Sequence, residues 1–232
     1  MGQYSFNKHK AILFDFGGTL DSDGGHWLDR FYRIYVDEGV EVSFLKLKEA
    51  FYYADELCCK DPDVNNFGLN TLLKHHVQLQ FEKLGLQFYP KGIAISKSFL
   101  ESMLYYLKRN STLLRKLRLH YKLGIVSNFY GNLPVILDQF GIYKLLDVVI
   151  DSERVGVRKP DPSIFKIAMD RIDEPASSVV FVGDSYERDI MPCKSLGMRV
   201  IWMKGPNPRV PEDPPDVDAV ITNLIQLKDI FL

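Results

Sequence analysis

Asp15 closes the apolar run Ala11-Ile12-Leu13-Phe14 and is followed by Phe16-Gly17-Gly18-Thr19-Leu20. A short apolar run ended by glycines predicts a buried strand. That places a carboxylate, a possible nucleophile or metal ligand, at the strand's carboxyl end. Three more polar points follow the same pattern. Ser127-Asn128 ends the run Tyr121-Lys122-Leu123-Gly124-Ile125-Val126, and Gly183-Asp184 ends Ser178-Val179-Val180-Phe181-Val182, with Asp189 shortly after. Lys159 stands in Gly156-Val157-Arg158-Lys159-Pro160-Asp161-Pro162. Singly, each has an ordinary reading as a turn, a loop or a helix cap. Jointly they carry more weight, because the carboxyl ends of parallel strands share one edge, where ligands bind. Two carboxylates with a third nearby make an oxygen donor set for a hard cation such as Mg²⁺. A lysine and a hydroxyl beside them suit an anionic substrate.

The elements that position these residues are short apolar strands alternating with helices. Strands are predicted at 11–14, 121–126, 147–150, 178–182, 199–203 and 219–221. Helices are predicted at 132–140, 163–171 and 186–196 and at the carboxyl end. This alternation predicts an α/β fold: a doubly wound parallel sheet, Rossmann-like, covered on both faces. Between His26 and about Lys108 the period becomes helical and aromatic, without a convincing strand. Trp27, Phe31, Ile34 and Tyr35 share a face ended by Gly39, and Ser43 caps a second helix. A third helix spans 69–84 with Gly85 as its stop, and a fourth spans 96–109. The predicted division is an α/β core of residues 1–21 and 109–232 with a small all-helical cap at 22–108. Most aromatics in the cap read as its own core. His75 and His76, being adjacent, point to different faces, one packed and one solvated. His26 borders the hinge and reads as a surface residue. The Pro-rich stretch 205–216 reads as a rigid connection without an assigned function.

A net charge of −1 and 25% charged residues give no footprint for nucleic acid. Three cysteines, Cys58, Cys59 and Cys193, form neither a disulfide framework nor a zinc spacing. No signal segment and no membrane-length apolar run stands in the sequence. A cytoplasmic protein is the expectation, with no membrane partner, as a monomer or homodimer.

The ordered set resembles the haloacid dehalogenase superfamily of hydrolases over essentially the whole chain. Asp15-Phe16-Gly17-Gly18-Thr19-Leu20 resembles its first motif and Val126-Ser127-Asn128 its second. Gly156 to Pro162 resembles the third, and Gly183-Asp184-Ser185 running to Asp189-Ile190 the fourth. The helical insertion matches the subfamily with its cap between motifs one and two. The resemblance implies a phosphatase acting on a small phosphorylated metabolite through an aspartyl-phosphate on Asp15. It implies Mg²⁺ at Asp15, the Gly17 carbonyl, Asp184 and Asp189. It also implies a phosphoryl site at Ser127, Asn128 and Thr19, with Lys159 neutralising the meeting anions.

One position departs from the pattern. Phosphatases of the family usually carry a second Asp two residues after the nucleophile, which protonates the leaving oxygen and activates water. Here that position is Gly17. General acid–base catalysis contributes roughly 10²–10⁴-fold. Three readings follow. In the first, a phosphoryl hydrolase acts on a good leaving group such as an acyl phosphate, or takes its proton from another group, Asp21 or Asp23 for example. In the second, the scaffold does different hydrolysis; dehalogenase relatives place Tyr here and phosphonate-cleaving relatives Ala. In the third, a non-catalytic module binds a metal, a phosphorylated ligand or a partner.

Overall fold

The computed structural model describes residues 8–206 and 217–232. Residues 1–7, and residues 207–216 of the Pro-rich stretch, fall outside the described residues. The strands are β1 (Ala11–Phe14), β2 (Lys122–Ser127), β3 (Val148–Asp151), β4 (Val179–Gly183), β5 (Arg199–Met203) and β6 (Ala219–Ile221). They form one sheet in the order β3-β2-β1-β4-β5-β6, and every pairing is parallel. β1 is central: Phe14 lies beside Ile125 of β2 and Val182 of β4. Strand order reverses between β1 and β4, which opens a crevice at their carboxyl ends. Asp15 therefore emerges between the end of β2, with Ser127, and the end of β4, with Gly183.

Side chains alternate across the sheet, and each face has its own core. Ile12 and Phe14 join Leu123, Ile125, Val180 and Val182 on one face. Ala11 and Leu13 join Val126, Ile150, Phe181 and Val200 on the other. The first face is covered by α5 (Leu133–Gln139) and α9 (Leu227–Phe231), and its core continues into a helical insertion. The second is covered by α7 (Ser163–Ile172), through Ile164, Phe165 and Ala168, and by α8 (Met191–Ser195), through Cys193. Strands buried on both faces explain why these runs are almost continuously apolar. Each large apolar side chain so buried contributes roughly 1.5–3 kcal/mol.

The insertion between β1 and β2 contains α1 (Trp27–Asp37), α2 (Phe44–Lys60), α3 (Leu69–Leu84) and α4 (Lys91–Leu117). Its boundaries follow local chemistry. The Ser43 hydroxyl accepts from Lys46 N at 3.3 Å and caps α2. Gly85 ends α3 in the left-handed conformation at φ 68°. Trp27, Phe31, Tyr35, Phe51 and Phe99 are buried in the insertion's core. No helix among the described residues is long and apolar enough to cross a membrane.

Several elements differ from expectation. α4 starts earlier and ends later than 96–109. Past the expected end at 109, Asn110 is buried and its amide donates to the Leu20 carbonyl at 2.8 Å. Leu113, Leu114 and Leu117 then continue the apolar face. β3 is shifted by one residue: Asp147 leaves the strand and its carboxylate accepts from Leu123 N at 2.8 Å. The stretch 186–196 is not one helix. Residues 186–190 form a wide turn, because Asp189 folds back to accept from Ser185 N at 3.0 Å, and Pro192 starts the short α8. A one-turn helix, α6 (Ser152–Val155), was not legible in the pattern.

Candidate active site

The loop after β1 is shaped by what lies against it. Asp15 N still donates to Val182 O at 2.9 Å, so the residue leaves the sheet with its backbone fixed. Gly18 adopts φ 92°, and a Cβ there would fall 2.4 Å from Asp184 Oδ2. Both facts demand glycine. Gly18 N donates to Asp21 Oδ1 at 2.6 Å. The other oxygen of Asp21 accepts from Trp27 Nε1 at 2.6 Å and from Arg30 at 2.7 Å. Burial pushes the Asp21 carboxyl up, while Arg30 and these hydrogen bonds pull against it. Asp21 is thus committed to fixing the loop. Asp23 is committed too: Arg109 holds it through both terminal nitrogens, at 2.8 and 2.6 Å, and Leu224 N donates to it at 3.0 Å. Both candidate proton sources are taken up by the hinge.

The floor of the crevice is a buried charge cluster. Lys159 is 5% exposed and places Nζ 2.7 Å from Asp15 Oδ1 and 2.6 Å from Asp189 Oδ1. Ser127 Oγ donates to the same Asp15 oxygen at 2.9 Å. Burial opposes the Lys159 charge, but Asp15 and Asp189 outweigh it and hold the ammonium protonated. Asn128 fixes the lysine's backbone from both sides: its amide donates to Lys159 O at 2.9 Å and accepts from Lys159 N at 2.7 Å. The Asn128 side chain is therefore engaged, and its backbone is what remains for a ligand. Thr19 Oγ1 donates weakly to Asp184 Oδ1 at 3.4 Å.

Asp15, Asp184 and Asp189 each present an oxygen within 4.8 Å of the others. Burial, then the charges of Asp15 and Asp189, push the Asp184 carboxyl well above the usual range. Asp189 is pushed up by burial against the pull of Lys159. One ammonium faces three carboxylates, so negative charge is in excess. An all-oxygen set with uncompensated charge fits a hard divalent cation. A Cβ on Gly183 would sit 2.5 Å from Asp189 Oδ2, so glycines at 18 and 183 give these carboxylates their room.

A cleft rises from this floor to the insertion, lined there by His26, Trp27, Phe51, Tyr52 and Asp55. A Cβ added to Gly17 would lie 3.5 Å from Trp27 Nε1 and 3.8 Å from Cδ1. The indole therefore borders the space into which a side chain at position 17 would extend. His26 is half-buried rather than a plain surface residue: its Nδ1 accepts from Leu28 N at 3.2 Å and caps α1. His76 is fully buried and lies 3.1 Å from Asp55, while His75 is partly exposed near Asp61 at 3.5 Å.

Sequence reasoning thus placed Asp15, Thr19, Ser127, Asn128, Lys159, Asp184 and Asp189 in one region, and these contacts link them. It missed Trp27 beside Gly17, the Asp55 side chain with Tyr130, and Arg158 and Arg188 at the cleft. It also missed Asp151, whose carboxylate accepts from Gly131 N, Leu133 N and Glu153 N at 3.0–3.1 Å and shapes the loop after β2. A buried Asp ending an apolar strand is the one signal that pointed to it.

The family model for haloacid dehalogenase-like hydrolases matches residues 9–197. The chain is 46% identical over 90 residues to haloacid dehalogenase-like hydrolase domain-containing protein 3 of Danio rerio, covering 39% of this chain and 37% of that protein. It is 29% identical over 211 residues to the glyceraldehyde 3-phosphate phosphatase of Pyrococcus abyssi, covering 84% and 81%. Its fold resembles that of a 2-haloacid dehalogenase from Pseudomonas syringae pv. Tomato DC3000, with TM-score 0.53, 22% identity and 96% and 97% of the two chains covered. The matched span takes in the Asp15 loop, the ends of β2 and β4, and the Lys159 loop, and the chain belongs to the haloacid dehalogenase-like hydrolases.

Proposed function

We propose that this chain is a Mg²⁺-dependent phosphoryl hydrolase acting on a small phosphorylated metabolite, with residues 1–21 and 109–232 as catalytic core and 22–108 as cap. The observation that carries the reading is Asp15 Oδ1 held by Lys159 at 2.7 Å and Ser127 at 2.9 Å on the floor of a cleft. With Oδ1 held, Oδ2 is the attacking oxygen. It forms a bond to phosphorus as the bond to the leaving oxygen breaks, and the product is an aspartyl-phosphate. Water then attacks that phosphorus, phosphate leaves and the carboxylate is regenerated. Lys159 neutralises charge as two anions meet. Ser127, Thr19 and the backbone at Asn128 bind phosphoryl oxygens. Mg²⁺ would be held by Asp15, the Gly17 carbonyl, Asp184 and Asp189, and would supply charge neutralisation at the phosphoryl oxygens.

Gly17 brings no proton to the leaving oxygen, and Asp21 and Asp23 are engaged at the hinge. The preferred substrate therefore has a leaving group that departs without a proton, as an acyl phosphate does. The phosphatase name of the Pyrococcus abyssi relative supports phosphoryl rather than halide chemistry. The test is Mg²⁺-dependent phosphate release from acyl phosphates and phosphate esters by wild type, Asp15→Asn and Gly17→Asp. The reading expects wild-type turnover of acyl phosphates that is lost in Asp15→Asn. A silent wild type beside an active Gly17→Asp would instead make the native site a binding site.

A further inference from the structure

Away from the charge cluster, the cleft wall carries a second acidic group in a directed network. Tyr35 OH donates to Gln80 Oε1 at 2.9 Å, and the Gln80 amide nitrogen lies 2.7 Å from His76 Nδ1. With Gln80 donating, His76 Nδ1 is the acceptor and its proton sits on Nε2. That nitrogen lies 3.1 Å from Asp55 Oδ1. Tyr130 OH, from the loop after β2, donates to the same oxygen. Burial, and then the Asp55 charge, raise the Tyr130 phenol well above its ordinary range and keep it a donor. Two donors from two parts of the fold thus hold one oxygen of Asp55. Oδ2 makes no hydrogen bond among the described residues, and the side chain, 25% exposed, lines the cleft.

An anchored carboxylate with a free oxygen on an aromatic wall recognises a hydrogen-bond donor. Among the described residues, Asp55 is the one carboxylate lining this cleft besides Asp15 and Asp184, and Arg158 and Arg188 line it too. Two guanidinium groups make the cleft a poor host for a substrate cation. We propose that Asp55 is a specificity-determining residue that accepts a hydrogen bond from a hydroxyl on the substrate's leaving group, so that the chain selects hydroxylated phosphates over alkyl ones. This rests on the phosphoryl-hydrolase reading, which places the phosphate on the cleft floor.

The probes are glycerol phosphate, propyl phosphate and aminoethyl phosphate, bound with Mg²⁺ and read by calorimetry. The protein is Asp15→Asn, so that binding is seen without turnover. Hydrogen bonds to a charged group are the stronger class, and the expected preference for glycerol phosphate over propyl phosphate is about 10-fold or more. Adding Asp55→Ala should bring the ratio to about one, and Asp55→Asn, which keeps an acceptor for Tyr130 and His76, should lower it at least about threefold. Propyl phosphate affinity should move by less than about threefold in Asp55→Asn; a merely structural role would weaken both ligands alike. Equal binding of the two ligands by the parent protein, an unchanged ratio in the Asp55 variants, or tighter binding of aminoethyl phosphate would each overturn the proposal. Phosphate release by the wild type is measured separately, so failure of the hydrolase reading shows there and not in this ratio.

Discussion

Lys159→Met keeps the aliphatic stem and deletes the charge. The ammonium lies 2.7 Å from Asp15 and 2.6 Å from Asp189, almost without exposure. At an effective dielectric of about 20, each contact is worth roughly 6 kcal/mol gross. Desolvation of the three ions offsets most of that. Removing one member of such a buried set, which leaves carboxylates uncompensated, costs about 3–5 kcal/mol net. For a domain of this size the melting temperature should fall by roughly 6–20 °C. Chemical and thermal unfolding in the presence of a chelator would measure it.

The pH dependence has a definite sign. Burial raises the folded-state pKa of Asp184 and Asp189, so the folded protein keeps protons that the unfolded chain has lost. Such groups favour folding most below the unfolded carboxylate value of about 4, and that favour is lost as pH rises through the folded values. Lys159 opposes the rise at both residues. Without it the folded values climb further, at about 1.4 kcal/mol per pKa unit. The penalty of Lys159→Met is therefore larger at pH 8 than at pH 5. A penalty under about 1 kcal/mol at pH 8, or one constant across the range, would refute the reasoning.

Three further outcomes are expected. Asp151→Ala strands three backbone donors, Gly131 N and Leu133 N beside Tyr130 and Glu153 N at the start of α6, and denaturant unfolding should show a loss of about 2–4 kcal/mol, partly restored in Asp151→Asn. Gly18→Ala places a methyl group 2.4 Å from Asp184 Oδ2 in a left-handed conformation. Stability should fall by about 1–3 kcal/mol, and thermal shift should show weaker stabilisation by Mg²⁺ than in wild type. Burial raises the thiol pKa of Cys58, Cys59 and Cys193, but the half-buried Cys59 lies beside Arg158, which pulls its value down. Maleimide labelling at pH 7.5, mapped by mass spectrometry, should modify Cys59 first and the other two only on unfolding; faster labelling of Cys58 would contradict the packing.

What the sequence revealed and what it hid divide along a physical line. The floor of the site was legible because its residues end strands. Parallel strands bring their carboxyl ends to one edge whatever the loops do, so Asp15, Ser127 and Asp184 had to be neighbours once the runs before them were strands. The four helices of the insertion were legible for a similar reason: Ser43 and Gly85 act within a turn of themselves. The cleft wall depends on something no local pattern encodes, namely how the insertion sits against the sheet. Trp27 had the spacing of a core aromatic and is one, yet Asp21 also draws its indole nitrogen beside Gly17. Asp55 occupied an ordinary position on a helix, and only docking brings Tyr130 to its oxygen. The fourth helix was expected to end at 109, and it runs on because the Asn110 amide reaches Leu20. The partners of Asp55 and Asn110 stand 75 and 90 residues away along the chain, and a buried polar group such as the Asn110 amide must find one. Reading the floor of the cleft from strand ends and its wall from long-range polar partners are therefore separate inferences, and in this chain Gly17 is where they meet: the glycine adds no side chain to the floor and borders the indole of the wall.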